Sequence, residues 1–344
     1  MKKLFVAILS VLLSAAIFSV YADNQEKSPF MTRTFSASSI KTVEASTSGG
    51  NLTLTGDADS NATVEMYVSK DNWSTEKIKK AIDDNYTIDI KVENGKLYVS
   101  AKQKNTFFNW NQDGLSISFK ISVPKQVNST LQTSGGSIHI SNLSGSQNFK
   151  TSGGSLAVEN TSGSIIGATS GGSINVTGAK DNIDLKTSGG SIMAADCNGQ
   201  INLMTSGGSL SLSNLSGTIN ASTSGGSISA SDIKGTLKTG TSGGSIRIDG
   251  ISGNVEASTS GGNMDVKITS VSDYVKLSNN GSINMNLPTS GKGYVINVKA
   301  SKLETTGTVE FRGTMNNNSM DGVIGRGGSN VEIKATQQVR LTFD

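Results

Sequence analysis

Thr169-Ser170-Gly171-Gly172-Ser173-Ile174-Asn175-Val176-Thr177-Gly178-Ala179-Lys180-Asp181-Asn182-Ile183-Asp184-Leu185-Lys186 decides the fold, because its opening TSGG returns at a fixed distance on both sides. The same four letters begin at Thr133, Thr151, Thr169, Thr187, Thr205, Thr223, Thr241 and Thr259, every step being 18 residues. Five places after each threonine stand Ile138, Leu156, Ile174, Ile192, Leu210, Ile228, Ile246 and Met264; seven places after it stand Ile140, Val158, Val176, Ala194, Leu212, Ala230, Ile248 and Val266. Two apolar columns two residues apart describe a strand with one buried face. A second pair follows, with Ile165, Ile183, Ile201, Ile219, Leu237 and Val255 in one column and Phe149, Leu185, Leu203 and Ala221 in the other. Each repeat therefore reads as two strands and two turns.

One such unit buries almost nothing alone, so the units must stack, with equivalent residues about 4.8 Å apart in parallel ladders. The sequence predicts an all-β fold, a parallel β-solenoid or β-helix with one 18-residue rung per repeat. The handedness rule for parallel crossovers gives a right-handed coil. Eight rungs would span about 38 Å. Glycine marks both turns, the first in TSGG and the second at Gly145, Gly163, Gly199, Gly217, Gly235 and Gly253, where positive φ and close approach are expected. Asp181 takes that glycine's place in one rung, which suggests a bulge.

Working outward, residues 23–132 form a less regular region that still contains Thr47-Ser48-Gly49-Gly50-Asn51, with Leu52 and Leu54 in the inward columns. The coil is expected to start there and to be interrupted by an insertion. Ser74 is a fair N-cap for a short helix through Asp84 with Ile78, Ala81 and Ile82 on one face. Strand patterns flank it at Thr63 to Val68, Tyr86 to Val92, Leu97 to Ala101 and Ser116 to Val123. This layout predicts a small helix-containing N-terminal cap over the open end. Regular repeats occupy 133–276, and 277–344 reads as closing rungs, with strands at Ser282 to Leu287, Tyr294 to Val298, Thr308 to Phe311 and Val331 to Phe343.

At the amino end Lys2 and Lys3 precede an apolar run from Leu4 to Phe18, and Val20-Tyr21-Ala22 places a small residue before Asp23. Residues 1–22 read as a secretory signal peptide cleaved after Ala22, the apolar run being shorter than the roughly 20 residues a span needs. The mature chain is expected to be exported, to the periplasm, the cell surface or the medium, without a membrane span. Its 28 basic and 27 acidic residues give it no field to steer it to nucleic acid or anionic lipid.

The chain has 344 residues with 40 glycines, 3 prolines, one cysteine and one histidine. That inventory cannot supply the clustered ligands of zinc, iron–sulfur or haem sites, so no metal and no cofactor is expected. Cys197 shares its column with Leu143, Thr161, Ala179, Leu215, Ile233 and Ile251, which marks it as core packing. His139 falls in an outward column with Ala157, Asn175, Met193, Ser211, Ser229, Arg247 and Asp265 and reads as an ordinary exposed side chain. That column holds no regular threonine lattice, and the turn hydroxyls are expected to satisfy backbone groups instead of presenting an ice-binding surface. Leu287-Pro288-Thr289-Ser290-Gly291 departs from a sortase motif, and the paired glycines lack the pattern of calcium-binding nonapeptides.

No catalytic residues stand out. Acidic residues such as Glu159, Asp184, Asp249 and Glu256 are scattered, with no aligned pair on adjacent rungs. The aromatic segment containing Phe107, Phe108 and Trp110 is the candidate binding site, as a stacking platform for sugar or a foot for a partner; the competing reading is a loop folded over the cap. Two function classes remain: a non-enzymatic exported scaffold that binds a surface, glycan or envelope protein, and a polysaccharide-active β-helix lyase or hydrolase.

The TSGGSI repeats, the inserted helix at Ser74 to Asp84, the Ser122-Val123-Pro124 strand end and the irregular closing strands resemble the bacterial "putative adhesin" family of β-strand-repeat domains, from about Phe35 to Phe343. The resemblance implies a β-solenoid and an envelope or surface location, and it carries no catalytic residues. Thr336-Gln337-Gln338-Val339 departs from the glycine turn expected in the last rung.

Overall fold

Alternation within each repeat becomes two strands, as in Ile192–Ala195 and Asn198–Thr205, each burying every second side chain. The computed structural model describes residues 28–104 and 114–344. Through the repeats, equivalent strands pair in parallel with partners 18 residues apart: Ile174 opposite Ile192 opposite Leu210, and Ile183 opposite Ile201 opposite Ile219. Identical columns therefore lie over one another, and the four apolar columns read from the sequence are all buried. Each such aliphatic side chain contributes about 1.5–3 kcal/mol of transfer free energy, which is what sets the strand register.

Of the two reasons expected for the TSGG glycines, close approach holds and positive φ does not. None of them lies at positive φ; instead a Cβ on Gly190 would sit 2.1 Å from the carbonyl oxygen of Gly172 in the rung before. The second-turn glycines do occupy the left-handed side, with φ 101° at Gly163 and 124° at Gly199. Asp181 adopts φ 79° between them without a bulge, in register with both, and its Oδ2 accepts the Gly163 N–H at 2.9 Å. A third corner was not anticipated. Asn142, Asn160, Gly178, Asp196, Asn214, Asp232 and Gly250, again 18 apart, all have positive φ, and asparagine, aspartate and glycine are the residues that tolerate it.

The ends depart from a uniform parallel coil. The rung carrying Thr47 pairs directly with that of Thr133, Leu52 lying opposite Ile138, so residues between them form an excursion. Part of that excursion, Lys96–Gln103 with Ser116–Val123, stacks in parallel on the other side of the Thr47 rung. Tyr86–Glu93, Asn61–Ser69 and Met31–Ser36 then close this end by antiparallel pairing. The helix runs Thr75–Asn85, capped by Ser74 Oγ accepting from the Lys77 N–H at 3.3 Å, with Ile78 and Ile82 buried.

The carboxyl end repeats the arrangement. Ser329–Ala335 and Gln338–Phe343 stack in parallel on the strands Met264–Asn279 and Ile283–Leu287. Tyr294–Lys299 and Lys302–Thr306, earlier in sequence, lie outside them. Ser319–Ile324 and Phe311–Met315 finish the end antiparallel, so the expected strand at Thr308 to Phe311 begins later, and Lys302–Thr306 and Ser319–Ile324 are additional. Among the described residues the fold is all-β apart from the helix and a short 3-10 turn, and their 28 strands form one mixed sheet. Tight hairpins, such as Asn94-Gly95 with φ 51° and 78°, impose the antiparallel pairing, because a two-residue link can join only antiparallel neighbours.

Candidate functional site

The threonine hydroxyls of the TSGG turns face the chain. Thr187 Oγ1 donates to the Gly172 carbonyl at 2.8 Å and accepts the Gly190 N–H at 3.3 Å, and the same donation to the preceding rung recurs from Thr133 to Thr259. Ser191 Oγ accepts the Ser209 N–H at 3.1 Å and Ser209 Oγ accepts that of Ser227 at 3.2 Å. These columns hold the turns together, as read from the sequence.

The outward column beside them is where the surface becomes irregular. Met193, Ser211, Ser229 and Arg247 occupy it on four successive rungs. Two serines between two long side chains leave a trough of about 610 Å³, walled on one side by the turn serines Ser191, Ser209 and Ser227. At the rung spacing, Met193 and Arg247 stand about 14 Å apart. Met193 is 55% exposed, and Arg247 makes no ion pair among the described residues.

Past Arg247 the trough opens into a polar depression of about 400 Å³ lined by Asp249, Asp265, Lys267, Asn284 and Asn286. Asn284 Nδ2 donates to Asp265 Oδ1 at 2.8 Å, and Lys267 Nζ lies 3.8 Å from Asp249 Oδ1. Asp249 and Asp265 stand on adjacent strands, two register positions apart. The strip thus offers hydroxyls, amides and a guanidinium on a floor of small side chains, a chemistry suited to an extended polyhydroxylated chain. Sequence reading passed over it because the column was judged irregular. The signal present was the run Met, Ser, Ser, Arg at 18-residue steps, followed by Arg247-x-Asp249 over Asp265-x-Lys267.

Phe107, Phe108 and Trp110 lie outside the described residues, as does the segment 1–22 read as a signal peptide. The aromatic segment joins Lys96–Gln103 to Ser116–Val123 in the rung outside that of Thr47, and Thr47 Oγ1 there donates to the Ile117 carbonyl at 2.8 Å where later rungs use glycine. Cys197 is buried in its column as expected; burial pushes its thiol pKa up, and Sγ lies 3.1 Å from the Ala195 carbonyl. His139 is less ordinary than expected: the ring is half-exposed, but Nε2 is covered, has no hydrogen-bond partner and stands 3.7 Å from Glu159 Oε1. No group of three or more His, Cys, Asp or Glu that could hold a metal occurs among the described residues.

No protein-family model matches the chain, and no curated protein is similar to it. Among solved structures, a "putative cell adhesion protein" from Clostridium sporogenes is 9% identical over 91% of this chain and 98% of that one, with a TM-score of 0.23. A "putative adhesin" from Bacteroides fragilis is 13% identical over 91% of this chain and 96% of that one, with a TM-score of 0.27. Both names agree with the resemblance seen in the repeats, but likeness at this level carries no argument about fold or activity.

Proposed function

We propose that the chain is an exported, non-enzymatic β-solenoid scaffold, adhesin-like in role, that holds a glycan of a surface or envelope along the trough between Met193 and Arg247. The parallel ladders at 18-residue steps support the coil, since a chain whose consecutive repeats all pair in this way must wind once per repeat. No helix among the described residues is long and apolar enough to cross a membrane. The trough carries the functional reading. It interrupts a face whose turn threonines are engaged with the backbone, and it ends on a guanidinium that makes no ion pair among the described residues and can donate to sugar oxygens.

The test is a glycan screen on the mature chain, followed by titration of any ligand found against Ser211→Gln/Ser229→Gln, which fills the trough without changing charge. Binding should weaken at least about tenfold, the scale of losing a few contacts in a desolvated site. Unchanged binding overturns the trough as the site, and a loss seen only in Phe107→Ser/Phe108→Ser/Trp110→Ser moves it to the aromatic segment.

One observation favours a second reading, a polysaccharide-active enzyme: the carboxylates of Asp249 and Asp265 lie at the trough's polar end. Glycoside hydrolysis needs one of such a pair kept protonated, usually by apolar surroundings. Both are exposed here, with amide and ammonium neighbours, which favours the scaffold. Reducing-end release from acidic polysaccharides by the wild type, lost in Asp249→Asn/Asp265→Asn, would reverse that preference.

A further inference from the structure

The carboxyl end of the stack carries a second concavity, unrelated to the trough. Two turns, 288–293 and 325–328, come together beside the strand Phe311–Met315 and enclose a depression of about 710 Å³ lined by Lys292, Glu310, Arg312 and Arg326 together with Gly291, Gly325 and Gly327. The turns are fixed against each other: Gly293, at φ 85°, would bring a Cβ to 2.2 Å from the Ile324 carbonyl. Arg312 is fixed as well, its Nη2 donating to the Gly325 carbonyl at 2.9 Å. That bond uses one of five guanidinium donors.

Cations outnumber carboxylates in this depression. Along the strands, some exposed cations sit beside carboxylates, as in Lys186 with Asp184, Lys238 with Glu256 and Lys302 with Glu304. Lys292 and Arg326 make no ion pair among the described residues, and the lining contains three cations against the single carboxylate of Glu310. The glycines leave the floor uncovered, so an incoming group can reach the guanidinium and ammonium donors together.

The geometry points to an oxyanion site: Lys292, Arg312 and Arg326 converge on a depression that takes a phosphate or sulfate group. Three positive charges against one negative suit a tetrahedral dianion, and guanidinium forks bind such oxygens in pairs. The same chemistry is offered by the free ion and by a phospholipid headgroup at an envelope surface.

The full mature chain should be titrated with inorganic phosphate by calorimetry, and in parallel sedimented with phosphatidylcholine vesicles with and without phosphatidylglycerol. Saturable phosphate binding that weakens with added salt is expected, and Lys292→Gln/Arg326→Gln should lower the affinity at least about tenfold while its melting curve stays that of the wild type. Binding confined to the vesicles containing phosphatidylglycerol, and lost in that variant, assigns the site to a lipid headgroup; binding of free phosphate alone assigns it to the soluble ion. Lys180→Gln/Lys234→Gln, two charges removed from distant rungs, serves as the control and should change neither. The proposal is overturned if neither probe binds saturably, if the pocket variant binds as the wild type does, or if the control weakens binding equally.

Discussion

Thr187 shows how one side chain can be the unit of this fold. Its hydroxyl joins two rungs by donating to the Gly172 carbonyl while accepting the Gly190 N–H, so a nearly isosteric valine leaves one half-buried acceptor and one donor unpaired. Thr187→Val should cost about 1–3 kcal/mol in urea unfolding, the penalty for stranded buried polar groups. Gly190→Ala should cost more, since its Cβ would press into backbone, whereas Ser211→Ala, on the outward face, should stay within about 0.5 kcal/mol. Equal losses from all three would mean that the turn hydroxyls are not structural. A second residue-scale prediction concerns Gly167, which lies between Phe149 and Leu185 in its column. A Cβ there would fall 2.3 Å from Cε2 of Phe149, whose ring fills the space above it. Gly167→Ala should therefore destabilise by about 1–3 kcal/mol through overpacking, and Phe149→Leu in the same chain should recover part of that loss. Simple additivity of the two changes in a double-mutant cycle would show that the ring does not occupy that gap.

Strands at the carboxyl end are joined by exposed charges as well as by their ladders. Glu304 on Lys302–Thr306 lies 2.7 Å from Lys302 Nζ and 3.1 Å from Arg340 Nη2 on the neighbouring strand, and hydrogen bonds from these two cations hold its carboxyl below the usual carboxylate range. A folded pKa below the unfolded one means that the stabilisation is complete above the unfolded value and disappears as pH falls through the folded one. In a carboxyl-resonance titration, Arg340→Gln should move the Glu304 midpoint upward, and the variant's stability should differ from the wild type's at neutral pH but converge with it in acid. An unmoved midpoint would mean that Arg340 contributes nothing to that carboxylate. The elements were legible in the sequence wherever period and burial agreed: the four apolar columns, the Ser74-capped helix and the strands from Thr63 to Val123. The third corner was not, because Asn142, Gly178 and Asp196 share a φ and not a chemical type, and a column of mixed residues does not look like a column. The trough escaped notice for a related reason, since its shape comes from the sizes of Met193 and Arg247 around two serines, a contrast visible only once the rungs are stacked. For the TSGG glycines crowding was read rightly and positive φ was not, since a sequence marks where a side chain is forbidden without saying which of the two forbids it.

At the scale of the molecule, both ends solve the same problem, the unpaired edge of a stack of parallel strands, by exchanging spatial order for chain order. The rung Ser329–Phe343 is last in sequence but lies between the rung of Ile283 and the outer strands Tyr294–Lys299 and Lys302–Thr306. Antiparallel Ser319–Ile324 and Phe311–Met315 then cover one of those outer strands. The excursion 288–328 is thus a cover inserted into an otherwise ordinary rung. Its removal is geometrically simple, because Asn286 lies opposite Lys267 and Asn330 opposite Tyr274, and the six residues between those two positions in the rung below are matched by Leu287, Ser329 and a short link. Replacing 288–328 with a four-residue link should leave the repeats folded, with Ser329–Ala335 and Gln338–Phe343 still stacked on the rung below. Their outer N–H and C=O groups would then face water as a long, open edge, the kind of surface that pairs with another copy. Light scattering behind size exclusion should show the shortened chain in a larger assembly than the full one at the same concentration, while far-ultraviolet circular dichroism keeps its strand character. A shortened chain of unchanged assembly state would show that the excursion is not needed to protect this edge, and the sequence between Pro288 and Gly328 would then owe its place to the cationic depression it builds.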